Sequence, residues 1–428
     1  MADMSIESLL SSCGSDGRAE RFAGLALELQ QEGQLHLATT ALDRAFGLAP
    51  NDAAIAATRG RLLDELAMEV DGIEFRYVPG GSFLMGSEAG DADAQPVHAV
   101  RVGHCWISST PVSWSLYCRL MGWQPPPAGS PAETPDGDAR FLLYNTNKIR
   151  LQYCEDHTLR ARGWHAHDPD AQWRDGAGKI TTSRQMFGEI PRDQPDEPWQ
   201  YAQKPMVAAS WTDAGLLCHR LNTLYPNRWF LLPTEAEWEK AARGGLIGAQ
   251  YSWGNDPPDA TRCDFDRFDE FSIRRPRQFP PNAYGLYGMC GGVWEWTQDW
   301  YDAGYYGRCE RRDPAGPAEG IEKVLRGGSW ADCAEAVTVS FRNSHRVDRC
   351  ACPNIGFRLC CVDGPPPVRQ IPQPEANPVP VPPPVPPPAR TPDSNPAPAP
   401  APAPAPTPTP NWFGSMLNRG LGIFRRNR

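Results

Sequence analysis

Along residues 19–66 apolar side chains recur at helical spacing: Leu25 and Leu29, then Ala38, Leu42 and Ala45, with Pro50 ending the run. The spacing predicts a pair of close-packed helices, since the alanines hold the backbones near each other, and a third helix over 53–66. From about residue 70 the period changes. DGIEFRYVPGGSFLMGS alternates apolar with polar positions, and its Gly80-Gly81 step predicts a hairpin turn. Three further helices carry start signals. Ser113 precedes Trp114, Tyr117 and Cys118; Ser210 precedes Ala214, Leu217 and Leu221. Thr234 and Glu237 form a capping box ahead of Trp238, Ala241 and Ala242. Residues 124–200 are rich in Pro, Asp and Gly and show little period, so an irregular surface excursion is expected there. Residues 251–361 are dense in Gly and Trp, with short strand-like pieces.

The pattern then stops. Residues 365–410 run into Ala-Pro and Thr-Pro repeats, which fix φ and remove donors. Such a stretch forms no core; it is expected to be disordered and to act as an extended spacer reaching on the order of 100 Å at ~3.1 Å per residue. The last residues, NWFGSMLNRGLGIFRRNR, mix apolar and basic side chains without an acid. The expected organisation is a helical segment over 1–68, a main domain over 70–362, a Pro/Ala-rich linker over 363–410 and a basic amphipathic tail over 411–428. That tail suits docking to a partner or to an anionic membrane surface.

Composition narrows the function. The chain has 428 residues and a formal net charge of −9, from 42 Lys+Arg against 51 Asp+Glu, which argues against a nucleic-acid partner held by a basic field. No apolar run approaches the roughly 20 residues of a membrane span. The first residues have neither a basic nor a long apolar export segment, so a cytoplasmic protein is expected. In that compartment the 13 cysteines are expected to be buried thiols. His165 and His167 are the nearest thing to a metal pair in the excursion, and no third ligand stands at matching spacing.

The helical segment QEGQLHLATTALDRAFGLAPND resembles a tetratricopeptide repeat, which implies a partner-binding helical module or a packing appendage. A lone repeat cannot bury its own face and must dock on something.

The main domain carries an ordered set of segments: VPGGSFLMGS, TPVSWSLYC, MVAASWTDAGLLCHRLN, LLPTEAEWEKAARGG, NAYGLYGMCGGVWEWTQDWY, and VLRGGSW closing with NIGFRL. On these segments residues 70–361 resemble the formylglycine-generating enzyme family, or sulfatase-modifying-factor domain. The resemblance implies an α+β, C-type-lectin-like fold with much irregular structure. Within the segments, Trp294 and Trp296 flank Glu295. Arg326 and Arg358 stand in apolar strands, which predicts pairing with a buried carboxylate such as Glu235, Glu237 or Glu295.

Family oxidases use a C-x4-C thiol pair that binds Cu(I) between GGS and GFR. Counting forward from Gly327 places that pair at Val337 and Arg342; counting back from Asn354 places it at Glu335 and Ser340. Neither count meets a cysteine, so copper is not expected and the family's oxidase activity on a sulfatase cysteine becomes the alternative reading. The family's calcium motif is also eroded, leaving Gly291, Val293 and Glu295 as a degenerate site that calcium could still use. The related sulfoxide-synthase branch needs N-terminal histidines, and only His36 stands in residues 1–70. A third resemblance is to variable proteins of diversity-generating retroelements, which place a mutable ligand-binding face between GGSW and IGFRL. It implies a non-catalytic display face over 331–353, meeting a protein or other macromolecular ligand through Asp332, Cys333, Glu335, Val337, Val339, Phe341, Asn343, His345, Arg346, Arg349, Cys350, Cys352 and Pro353. A fixed regulatory binding module is the remaining alternative.

Overall fold

The computed structural model describes residues 18–121, 172–174, 180–182, 203–207, 209–267, 273–347, 352 and 354–364. Expectations for most of the 124–200 excursion, for Arg349, Cys350 and Pro353, and for the chain from 365 onward lie outside the described residues.

The helical pattern forms α1 (Arg18–Gln31), α2 (Leu35–Leu48) and α3 (Ala53–Glu65). Phe22, Ala26 and Leu29 of α1 close on Ala38, Ala41, Leu42 and Ala45 of α2, and the small side chains permit the tight hairpin. Asp52 caps α3 by accepting from the Ala54 and Ile55 amides.

This helical unit is fastened to the main domain by a buried polar knot. Arg59 of α3 donates to Asp43 Oδ1 at 2.8 and 3.1 Å, and to the carbonyls of Ala283 and Gly244 at 2.9 Å each. Tyr284 donates its hydroxyl to Asp43 at 2.8 Å. Burial raises the Asp43 carboxyl, but Arg59 and Lys240 outweigh it and hold the group below its ordinary range. Gly245 lies against this knot at φ +90°, where a Cβ would sit 2.8 Å from both Arg59 and Asp43, so only glycine closes the joint.

The main domain begins with β1 (Met68–Val70) and β2 (Ile73–Val78), joined by Asp71-Gly72. Both turn residues have positive φ, as a two-residue type I′ hairpin demands. The hairpin expected at Gly80-Gly81 does not form. β2 instead pairs with β5 (Cys105–Ser108), while β3 (Gly81–Met85) pairs with β4 (His98–Val102). The glycines end one strand and start another in a different sheet; partner choice is a non-local matter that the alternation could not encode.

The predicted helices appear as α4 (Trp114–Met121), α5 (Trp211–Leu224) and α6 (Glu235–Arg243), with short β6 (Gln172–Arg174) and β7 (Ile180–Thr182) between the first two. Both Ser210 and Thr234 cap their helices through reciprocal boxes, with Asp213 and Glu237 respectively. After α5 comes β8 (Trp229–Leu231). Downstream of α6 lie β9 (Trp294–Trp300), β10 (Glu322–Arg326), β11 (Arg342–Arg346), β12 (Ile355–Gly356) and β13 (Cys360–Val362). One sheet has the order β1-β2-β5-β13-β8, the other β11-β10-β9-β12. The architecture is α+β, with short curled sheets and long irregular connections, and the indoles of Trp114, Trp238, Trp296 and Trp330 are fully buried in its core.

Candidate functional site

The stretch between Gly327 and Arg358 is held by arginines that the apolar strands carry inward. The α6 cap aims Glu235 and Glu239 at β10. Glu235 accepts from Arg326 at 3.2 Å, from Arg342 at 2.7 and 3.0 Å, and from the Tyr306 hydroxyl at 3.2 Å. Glu239 takes Arg326 on one oxygen and Arg243 on the other. Arg326 also donates to the carbonyls of Val339 and Ser340, at 2.7 and 3.2 Å, which fastens the turn they sit in. Glu295 of β9 binds Arg358 through both oxygens at 2.6 and 2.7 Å and accepts the Trp238 indole N–H at 2.7 Å. The expected carboxylate partners of Arg326 and Arg358 are therefore present. Glu237 is the exception: its carboxylate returns to the Thr234 amide as the cap. Glu239, which the sequence reading passed over, completes the set.

The residues expected to form a display face divide into three groups. Val337 and Val339 are fully buried and Cys352 is buried, so these three are corrected to core positions. The resemblance placed the valines on the display face, whereas 334–340 is a succession of turns that folds them against the core. Asp332 is half-buried: it accepts from the Ser329 amide at 3.0 Å and from the Ser329 hydroxyl, and burial pushes its carboxyl up. Cys333, Glu335, Phe341, Asn343, His345 and Arg346 reach the surface wholly or in part. His345 lies edge-on to Trp296 at 5.8 Å between centroids and stands 3.5 Å from the Cys352 thiol. Burial disfavours its imidazolium, but the neighbouring thiol outweighs this and raises its pKa.

The residues do not fit the family's metals. Of the forward-counted thiol positions, Val337 is packed in the core and Arg342 is locked to Glu235; of the backward-counted ones, Glu335 is exposed and Ser340 is buried beneath Arg326. No sulfur stands at any of the four. Glu295, expected as a calcium ligand, has both carboxylate oxygens engaged by Arg358 and Trp238. Gly291 and Val293 flank it in the loop before β9, where the Gly291 amide donates to the Gly327 carbonyl at 2.7 Å. Among the described residues, one group of three could place ligand atoms together: Cys105, Glu237 and Cys360, all buried. The nine described cysteines are free thiols.

One feature escaped the sequence reading. Lys323 of β10 is fully buried between the rings of Trp300, at 3.7 Å, and Trp211, at 4.4 Å, and donates to the Gln298 carbonyl at 2.7 Å. Burial brings its pKa down to about 8, against the pull of Asp299. Burial and the neighbouring Glu235 push Asp299 up to about 7. The signal was available in principle, as a lysine at an inward strand position opposite Trp300.

Comparison with known proteins places these features in context. A family model described as a sulfatase-modifying factor enzyme 1-like domain matches residues 67–362. The formylglycine-generating enzyme of Streptomyces coelicolor is 33% identical, over 66% of this chain and 87% of its own length. The inactive C-alpha-formylglycine-generating enzyme 2 of Mus musculus is 32% identical, over 68% of this chain and 86% of its own. Among solved structures, Treponema denticola variable protein 1 is similar at a TM-score of 0.40 and 23% identity, covering 69% of this chain and 98% of that one.

Proposed function

The chain belongs to the sulfatase-modifying factor enzyme 1-like family, and from that membership we propose that it is a non-catalytic ligand-binding module built on the family's scaffold. Similar relatives carry both active and inactive names, so the family alone does not decide between them. The site carries the reading. Where two thiols would have to face each other, Val337 fills the core and the Arg342 guanidinium is clamped on Glu235 at 2.7 and 3.0 Å. A buried ion pair is costly to break, so this position is committed to structure. The surface left for a ligand is Cys333, Glu335, Phe341, Asn343, His345 and Arg346, a mixture of charge, amide and aromatic that suits a macromolecular partner.

The test uses the purified, reduced full chain with Cu(I), oxygen and a Cys-x-Pro-x-Arg peptide. The expected result is no aldehyde in the peptide by mass spectrometry. Conversion above a no-protein control would overturn the reading and make the chain an oxidase. A second reading, a retroelement-diversified variable protein, is favoured by the dissimilar side chains projecting from one anchored stretch. Sequencing the locus tests it: a neighbouring reverse transcriptase and an imperfect template repeat of codons 327–359 are expected, and their absence removes it. Under either reading the tail over 411–428 serves as a tether, which vesicle flotation with and without those residues checks.

A further inference from the structure

The joint between the helical unit and the main domain encloses a cleft of about 320 Å³, bordered by Arg44, Leu48, Phe83, Leu84, Lys240 and Ile247. That volume is at the lower end of what small-molecule sites use. A second recess of about 290 Å³ shares Asp43, Arg44, Ser82 and Lys240 with it, so the two open on the same charged floor.

The floor is cationic beyond its internal needs. Arg59, Lys240 and Arg44 gather around a single carboxylate, Asp43. Asp43 is already filled: Arg59 and the Tyr284 hydroxyl occupy its oxygens, and the Lys240 ammonium stands 3.6 Å away. Arg44 is half-buried and makes no hydrogen bond among the described residues. A half-buried guanidinium that lines both recesses and makes no hydrogen bond to the described protein keeps its five N–H donors for solvent or a ligand. Burial accordingly lowers the Arg44 pKa, with Asp43 only partly offsetting it.

The mouth is apolar for a separate reason. Six large apolar side chains are exposed among the described residues, and three of them, Leu48, Leu84 and Ile247, ring this one opening at 45%, 47% and 52% exposure. They come from three distant parts of the sequence, so their convergence belongs to the fold. A cationic floor beneath an apolar rim matches a molecule with an anionic head and an apolar body.

We infer that this cleft binds a small anionic amphiphile, its carboxylate or phosphate-monoester head on Arg44 and Lys240 and its chain between Leu48, Leu84 and Ile247. An eight-carbon chain with its head suits a cavity of this size. The inference is independent of the face over 331–353, and an oxidase outcome above would leave it standing.

The test titrates the full chain with 8-anilinonaphthalene-1-sulfonate, a fluorescent anion with an apolar body. Octanoate and octyl phosphate then compete, with octanol as the chain-only control and inorganic phosphate as the head-only control. One-to-one binding is expected, displaced at least tenfold better by octanoate or octyl phosphate than by either control. The better of those two identifies the head. Arg44→Gln should weaken probe binding at least tenfold, and Leu48→Glu should do the same from the apolar side. Arg346→Gln, on the 331–353 face and outside the lining of both recesses, should leave it unchanged. Circular dichroism and the melting midpoint confirm that each variant is folded; Arg44 holds no hydrogen bond whose loss would unfold it. Equal competition by octanol, unchanged affinity in Arg44→Gln, or an equal loss in Arg346→Gln would overturn the assignment.

Discussion

Replacing Glu295 by Gln isolates the ion pair at the centre of the domain. Arg358 is fully buried, with Nε and one Nη on the two Glu295 oxygens at 2.6 and 2.7 Å and its other donors on the carbonyls of Ser108 and Tyr287 at 3.1 and 2.9 Å. Gln retains one acceptor oxygen but turns an amide N–H₂ toward the guanidinium. The cation then stays buried without its counter-charge, for which the expected cost is about 3–5 kcal/mol. Urea unfolding followed by tryptophan fluorescence reads this as a lower midpoint with little change in slope. The paired variant Glu295→Leu with Arg358→Met should recover most of the loss, because it removes both charges together. The same experiment addresses calcium. A ligand at 100 times its dissociation constant stabilises by about 2.7 kcal/mol, so a site at Glu295 would make the wild-type midpoint rise with calcium and fall with a chelator. The ion-pair assignment predicts no movement with either. A calcium-dependent midpoint, or a Glu295→Gln variant as stable as the wild type, would refute it.

Arg59→Met removes the buried cation that joins the helices to the main domain and should lower stability by about 3–5 kcal/mol, with hydrogen exchange in 18–65 accelerating before the rest; uniform exchange across the chain would count against a separate joint. Gly328 has φ +70°, and a Cβ there would stand 2.7 Å from the Ala336 carbonyl and the Val337 side chain, so Gly328→Ala is expected to cost about 1–3 kcal/mol. Gly307→Ala, where the added carbon meets nothing within 4 Å, should be close to neutral in the same melting assay. Asp299 is raised by burial and Glu235 from 3.8 to about 7, so its contribution to stability is complete below about pH 4 and is lost as pH rises through 7. Asp299→Asn removes that titration and should gain on the wild type between pH 4 and 8; parallel stability profiles would show that Asp299 is not the group responsible.

What the sequence disclosed were requirements set by residue type. A buried arginine must meet a carboxylate, so Arg326 and Arg358 announced their pairs, and the chain supplied Glu235, Glu239 and Glu295. Helix starts were equally legible, because Thr234 with Glu237 and Ser210 with Asp213 solve a local problem with local residues. The reading failed where the answer depended on distant chain. Gly80-Gly81 ends β2, yet nothing nearby states that β2 will lie against β5 rather than β3. Val337 and Val339 were assigned to the display face by resemblance, but a run of turns has no period from which their burial could be read. The cleft was invisible for the same reason, since Leu48, Leu84 and Ile247 look like isolated surface residues until the fold brings them to one rim.

These observations separate what is fixed from what is free in the segment after Gly327. Arg326 holds the carbonyls of Val339 and Ser340, Arg342 holds Glu235, Asp332 holds Ser329, and Arg358 holds Glu295. Each contact uses a backbone group or a buried side chain, and none uses Cys333, Glu335, Asn343 or Arg346 as an anchor. Surface substitutions away from structural features usually shift stability by no more than about 0.5 kcal/mol. The exposed positions can therefore be substituted while the buried contacts stay the same, and the place where two reactive sulfurs would stand in register is taken by Val337 and Arg342. The arrangement joins tolerance at the surface to rigidity beneath it, and the proposed recognition role rests on that combination.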